Sequence, residues 1–184
     1  MTHEFKSIVT QALYNQNIGL KTVLASVVFL DGSSYRKPGV RMLISEDGSL
    51  TGALSGGCVE KEVIRRAQSV FKDQQAKVMT YDGRYRLGCE GVLYILLEPF
   101  AISNAFLTKF QEALVSRTSF KIDSYYLQKD EVYGNFGSVA RFANHVNFSF
   151  FSDFNPKTFQ DIMVFSQTFN PIFNLLIIGG EHDA

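Results

Sequence analysis

The chain has 184 residues, 18 Lys and Arg against 18 Asp and Glu, and 46% hydrophobic content. That is enough apolar mass for a sizeable core, and balanced charge with 17 Phe and 8 Tyr excludes a disordered class. A nucleic-acid surface would show as excess Lys and Arg, and two cysteines can build neither a disulfide framework nor a complete Cys-based zinc site.

The N-terminus, Met1 to Lys6, lacks a basic region followed by an apolar run, and no stretch reaches the ~18 apolar residues of a membrane helix. These features predict a cytoplasmic protein with reduced thiols, and neither nucleic acid nor membrane among its partners. Phe5, Ile8, Val9, Ala12 and Leu13 make one apolar face of a helix over 3–17. Residues 22–30 form a β-branched run that reads as a buried strand, closed by turn chemistry at Asp31-Gly32-Ser33-Ser34. Val40–Ile44 and Leu50–Leu54 flank a hairpin turn in which Gly48 supplies a positive φ.

A second helix comes next, with Val59, Val63, Ile64, Ala67, Val70 and Phe71 on one face and Glu62 four residues before Arg66. Residues 76–81 and 92–97 are strand candidates, the latter ended by Pro99. Ser103 is placed to cap a third helix carrying Phe106, Leu107, Phe110 and Leu114. Phe120–Leu127 is a further strand. Ten of the 17 Phe fall between 136 and 173, in short irregular alternation that predicts β-rich structure with an aromatic core or an aromatic partner surface. An exposed patch there would favour self-association, so a homodimer is expected. Near the end, Asn174-Leu175-Leu176-Ile177-Ile178-Gly179 opens into glycines, as the first strand of a nucleotide-binding βαβ unit does. The chain is therefore expected to stop at a domain start.

Three loops carry the chemistry. In Ser55-Gly56-Gly57-Cys58 a thiol adjoins a helix N-terminus, where unpaired N–H groups favour thiolate and can cradle a phosphate. Leu87-Gly88-Cys89-Glu90-Gly91 places the other thiol immediately before a buried strand. Gly32 to Arg41 concentrates Arg36, Lys37 and Arg41 with Ser33, Ser34 and Tyr35, a set suited to an anionic heterocycle. The bland alternatives are packed cysteines, turns that only need glycine, and a solvated basic turn. Glu60 and Glu90 are expected to be solvated carboxylates, and His145 a structural or surface residue.

Taken in this order, Gly32-Ser33-Ser34-Tyr35-Arg36-Lys37-Pro38-Gly39-Val40-Arg41-Met42, Ser55-Gly56-Gly57-Cys58-Val59-Glu60 and Leu87-Gly88-Cys89-Glu90-Gly91 resemble the XdhC/CoxI family. Its members are accessory proteins of molybdenum hydroxylases such as xanthine dehydrogenase. The resemblance covers roughly 10–100 and resumes at 175–184. It implies a chain that binds molybdenum cofactor (molybdopterin), supports its sulfuration with a cysteine desulfurase, and delivers it to an apo xanthine dehydrogenase-type hydroxylase. The implied metal-side thiols are Cys58 and Cys89. Arg36, Arg41, Ser34, Tyr35, Ser55, Gly56 and Gly57 become candidates for the phosphate and pterin.

The expected fold is α+β: a mixed, mainly antiparallel sheet flanked by helices at 3–17, 58–72 and 103–116, ending at the first strand of a truncated Rossmann-like domain. Residues 1–100 would form the XdhC/CoxI-like N-terminal domain, 101–173 a Phe-rich extension of it, and 174–184 the start of the missing domain. Such a chain is expected to act as a cofactor chaperone rather than an enzyme. Two other functions fit the residues: a thiol-redox or sulfur-transfer protein cycling through Cys58 and Cys89, and a structural dimerisation module.

Overall fold

Between Thr22 and Leu30 only Thr22 and Ser26 are polar, and so apolar a strand needs cover on both faces. The structure, a computed structural model, describes residues 1–35, 37–55, 57–84, 91–152, 154–155 and 162–174, with Cys58 described as backbone only. The elements in chain order are α1 (Thr2–Asn17), β1 (Thr22–Asp31), β2 (Arg41–Ser45), β3 (Leu50–Gly52), α2 (Cys58–Asp73), β4 (Lys77–Asp82) and β5 (Val92–Pro99). They continue with α3 (Asn104–Val115), β6 (Phe120–Tyr126), β7 (Val132–Tyr133), β8 (Gly137–Arg141), β9 (Asn147–Ser149) and β10 (Met163–Phe169).

The strands form two sheets among the described residues, ordered β3-β2-β1-β5-β4-β7 and β10-β6-β8-β9. Every pairing between them is antiparallel. The α+β class is therefore as expected, while the single mixed sheet is replaced by two antiparallel ones. β1 needs its second cover, and the Phe-rich segment supplies it as a second sheet, while its β7 adds an edge strand to the first. On β6, Phe120, Ile122, Ser124 and Tyr126 are buried and the residues between them are not, the alternation of a strand with one face inward.

One face of the first sheet packs on α2, joining Val23, Ala25, Val27, Met42 and Ile44 to Val59, Val63, Ala67 and Val70. The other face, with Leu24 and Leu43, meets α1, α3 and the second sheet. The phenylalanines concentrate here. The Phe5 ring lies 5.1 Å from Phe169 and 5.8 Å from Phe110, and Phe120 stacks on Phe169 at 4.9 Å. Such offset and edge contacts stabilise beyond burial alone. Phe136, Phe150, Phe154 and Phe169 are buried. The aromatic segment is thus an interior, not the exposed patch on which the homodimer expectation rested; among its described phenylalanines, Phe173 is the one that is almost fully exposed.

Local signals behave as their chemistry dictates. Ser103 caps α3, its Oγ accepting from the Phe106 N–H at 3.1 Å. Gly48 takes φ +87° in the β2–β3 turn, a region that favours glycine. Glu62 accepts from Arg66 Nε at 2.6 Å one helical turn on. No described helix is long and apolar enough to cross a membrane. The expected final strand at 175–179 lies outside the described residues.

Candidate functional site at one end of the first sheet

Antiparallel pairing decides where loops emerge. Asp31, at the end of β1, pairs with Val92, at the start of β5; Asp82, at the end of β4, pairs with the same Val92. Gly52, at the end of β3, pairs with Met42 at the start of β2. The β1–β2 loop (32–40), the β3–α2 loop (53–57) and the β4–β5 loop (83–91) therefore leave the same end of the sheet. These are the three segments singled out in the sequence.

Gly91 makes two of them touch. A Cβ built on it would stand 2.8 Å from the carbonyl oxygens of both Asp31 and Ser33, so the last residue of the Cys89 loop lies directly against the backbone of the Ser34 loop. Gly91→Ala must push these loops apart, with an expected loss of about 1–3 kcal/mol in urea unfolding. Leu54 is buried in the apolar cluster beneath, and Leu30 and Val40 pack on that cluster. The second loop thus shares its footing with the first. Ser34 is half-buried and Tyr35 is 86% exposed at this end. Arg36, Gly56 and Cys89 lie outside the described residues, and so does the distance between the two sulfur atoms.

The α2 N-terminus is not vacant. Gly57 is its N-cap, at φ +118°. The carboxylate of Glu60 folds back over it: Oε1 accepts from the N–H of Leu54 at 3.1 Å and of Ser55 at 2.5 Å, and Oε2 from Ser55 Oγ at 2.8 Å and the Gly57 N–H at 2.8 Å. This is the reciprocal half of a capping box. Glu60 is 8% exposed, so the solvated carboxylate expected from sequence is an interior one. Burial pushes its pKa up, but the donations from Ser55 and Gly57 outweigh burial and hold it below the ordinary value. The Ser55 and Gly57 amides, expected as a phosphate cradle, donate to this internal anion. Helix start plus Glu three residues on was the available signal.

Arg41 also takes an interior position. It is 6% exposed and faces the second sheet, where Nη1 donates to the Gly39 carbonyl at 3.0 Å and to Gln167 Oε1. Its guanidinium carbon lies 5.4 Å from the Phe169 ring centre. Among the described residues Nε and Nη2 are buried without a hydrogen-bond partner, as is Ser26 Oγ on the paired residue of β1. Burial lowers the Arg41 pKa to about 10, opposed by the charge of Glu98, so it remains a cation at neutral pH. The cleft beside it is about 30 Å³, room for a water or two and not for a pterin. Glu98 is fully buried, accepting from the Ser138 N–H at 2.7 Å and Ser138 Oγ at 2.6 Å. Among the described residues no group of three His, Cys, Asp or Glu side chains is placed to hold a metal ion.

Residues 17–82 match the XdhC and CoxI family. The chain carries a segment similar to that family. That segment holds β1 to β4 and two of the three loops, and ends just before the third. Over 86 residues the chain is 35% identical to a Bacillus subtilis (strain 168) protein described as a probable xanthine dehydrogenase subunit; the match takes in 42% of this chain and 26% of that relative. A crystal structure of a Bacillus halodurans protein titled a xanthine dehydrogenase superposes on 90% of this chain with a TM-score of 0.63, at 23% identity and over 53% of its own length. At that identity the likeness shows a shared fold. The chain spans about a quarter of the one relative and about half of the other.

Proposed function

We propose that this chain belongs to an accessory protein of a xanthine dehydrogenase-type hydroxylase, in which it binds molybdenum cofactor and supports its sulfuration and insertion. The observation that carries the reading is the emergence of three glycine-rich loops, two of them bearing the cysteines, at one end of one sheet. The residue types fit such a group. Thiolates suit a soft metal centre, and hydroxyls, a phenol and a guanidinium suit a phosphate and the polar edge of a pterin. Cys58 and Cys89 would hold the metal side; Ser34, Tyr35, Arg36 and Gly56 would line the rest. Ser55 and Gly57, engaged by Glu60, and Arg41, buried between the sheets, act behind this surface. The bound group supplies the molybdenum centre; the chain's residues bind and orient it, then release it to the hydroxylase. A cysteine desulfurase is the proposed sulfur donor, and the cytoplasm the proposed compartment.

The same placement of both cysteine loops suits a sulfur-transfer protein, and one experiment separates the two. The purified chain is incubated with molybdenum cofactor, gel-filtered, and assayed for molybdenum in the protein peak. Co-elution is expected, falling about tenfold or more in Cys58→Ala and Cys89→Ala, a loss of the size that disturbed metal shells give. No co-elution from the folded chain would overturn the cofactor reading and leave sulfur transfer.

A further inference from the structure

Away from the three loops, a second cavity of about 210 Å³ opens where α1, α3, β6 and β10 meet. None of its lining residues belongs to 32–40, 53–57 or 83–91. That volume is below the ~300–1,000 Å³ of a drug-sized ligand's pocket, so its occupant is small. The floor is apolar: Phe120 and Phe169 are buried beneath it, and Leu114, Pro171 and Ile172 form half-buried sides. Two cations, Lys6 and Arg117, also line it, and no carboxylate does. Both cations are exposed, and among the described residues neither has an acidic partner.

Arg117 stands where a helix ending ordinarily takes glycine. It follows the α3 C-cap, Ser116, and holds φ +55°. The Thr118 N–H donates to the Ala113 carbonyl at 3.0 Å, the long bond of a Schellman ending. A Cβ at that position is strained, so an arginine there costs the fold stability that glycine would spare. Asn170, also in the lining, accepts from Ser119 Oγ through Oδ1 at 3.1 Å, which leaves its NH2 group as a donor. Its carbonyl accepts from Thr2 Oγ1 at 2.6 Å and fastens α1 to the chain leaving β10.

We propose that this cavity is a binding site for a small organic carboxylate: Arg117 and Lys6 take the carboxylate, and the apolar floor takes an aromatic or short aliphatic body. A guanidinium matches the two oxygens of a carboxylate in one plane. With no acid in the lining, the ligand supplies the balancing charge. A bare phosphate would leave the apolar floor uncovered. The site is independent of the cofactor reading, since the two share no lining residue.

The test is benzoate binding by the full chain, followed through NMR amide shifts at about 0.15 M salt, where attraction between merely exposed charges is screened. Saturable shifts confined to residues around the cavity, Thr118, Asn170 and Asn174 among them, are expected, with a dissociation constant of about a millimolar or below. Benzyl alcohol has the body without the charge, and inorganic phosphate the charge without the body. Each is expected to bind about tenfold more weakly or worse. In Arg117→Gly the positive φ is relieved, so the urea midpoint is expected to hold or rise while benzoate affinity falls about tenfold or more. Lys6→Gln is expected to weaken benzoate about twofold to fivefold. No saturable shift at the cavity, equal binding of benzyl alcohol or of phosphate, or unchanged affinity in Arg117→Gly overturns the proposal. A loss of stability in Arg117→Gly, with affinity unmoved in Lys6→Gln, assigns the arginine to the fold and overturns it as well.

Discussion

Replacing Arg41 with alanine is expected to lower the stability of the fold by about 3 kcal/mol or more, read as a fall in the urea midpoint. The side chain crosses from the first sheet to the second. Its removal takes the donor from the Gly39 carbonyl and from Gln167 Oε1, both in the interior, and empties the space over Phe169. It also leaves Glu98 without its nearby opposite charge. Arg41→Met separates these causes. Methionine keeps an apolar stem against Phe169 and removes the two buried nitrogens that have no partner among the described residues. It is expected to recover about half of the loss or more, because a buried charge is itself costly to desolvate. Equal losses in both variants would mean that charge, not packing, is what Arg41 contributes.

The stability of the chain is expected to fall as pH rises from 4.5 to 7, by about 3 kcal/mol from Glu98 alone. Burial raises the Glu98 pKa to about 7, against the pull of the Ser138 hydrogen bonds and of Arg41. In the unfolded chain the group titrates near its ordinary 4.5. Between those values the folded state binds more protons than the unfolded one, so each rise in pH favours unfolding. Below 4.5 both states are protonated and the contribution is fully present; above 7 it is gone. Glu98→Gln, which can still pair with Ser138, should flatten this slope. Parallel curves for the two proteins in urea unfolding across pH 4.5–8 would contradict it. Glu60 acts with the opposite sign, because hydrogen bonding lowers its pKa: its contribution is present above its ordinary value and is lost as pH falls below it.

How much could be read from the residues depends on how local each signal is. Periodicity placed all three helices, because Phe5-Ile8-Val9-Ala12 and Val59-Val63-Ala67-Val70 repeat at helical spacing. The run of 22–30, apolar but for Thr22 and Ser26, announced a buried strand. Sheet count was not legible, since whether the Phe-rich segment extends the first sheet or covers it depends on contacts such as Phe5 with Phe169, 164 positions apart. Composition misled at Arg41, where a cation in a basic loop reads as a ligand contact. Its first strand position turned it toward Gln167, which no local pattern reveals. It misled again at Glu60, where a charge beside a cysteine reads as solvated although the capping spacing from Gly57 was present. The gathering of the three loops was legible only as their order. Antiparallel registry, and the close approach of Gly91 to Asp31 and Ser33, supply the geometry.

The decisive quantity is whether Cys58 and Cys89 share one small site. A trivalent arylarsenical bridges two thiols only when both reach the same arsenic atom. One reagent per folded chain, protecting both cysteines from alkylation and lost on either Cys58→Ala or Cys89→Ala, is the expected result. Two thiols that stay independently reactive in the presence of the reagent would contradict a common cofactor site at this end of the sheet.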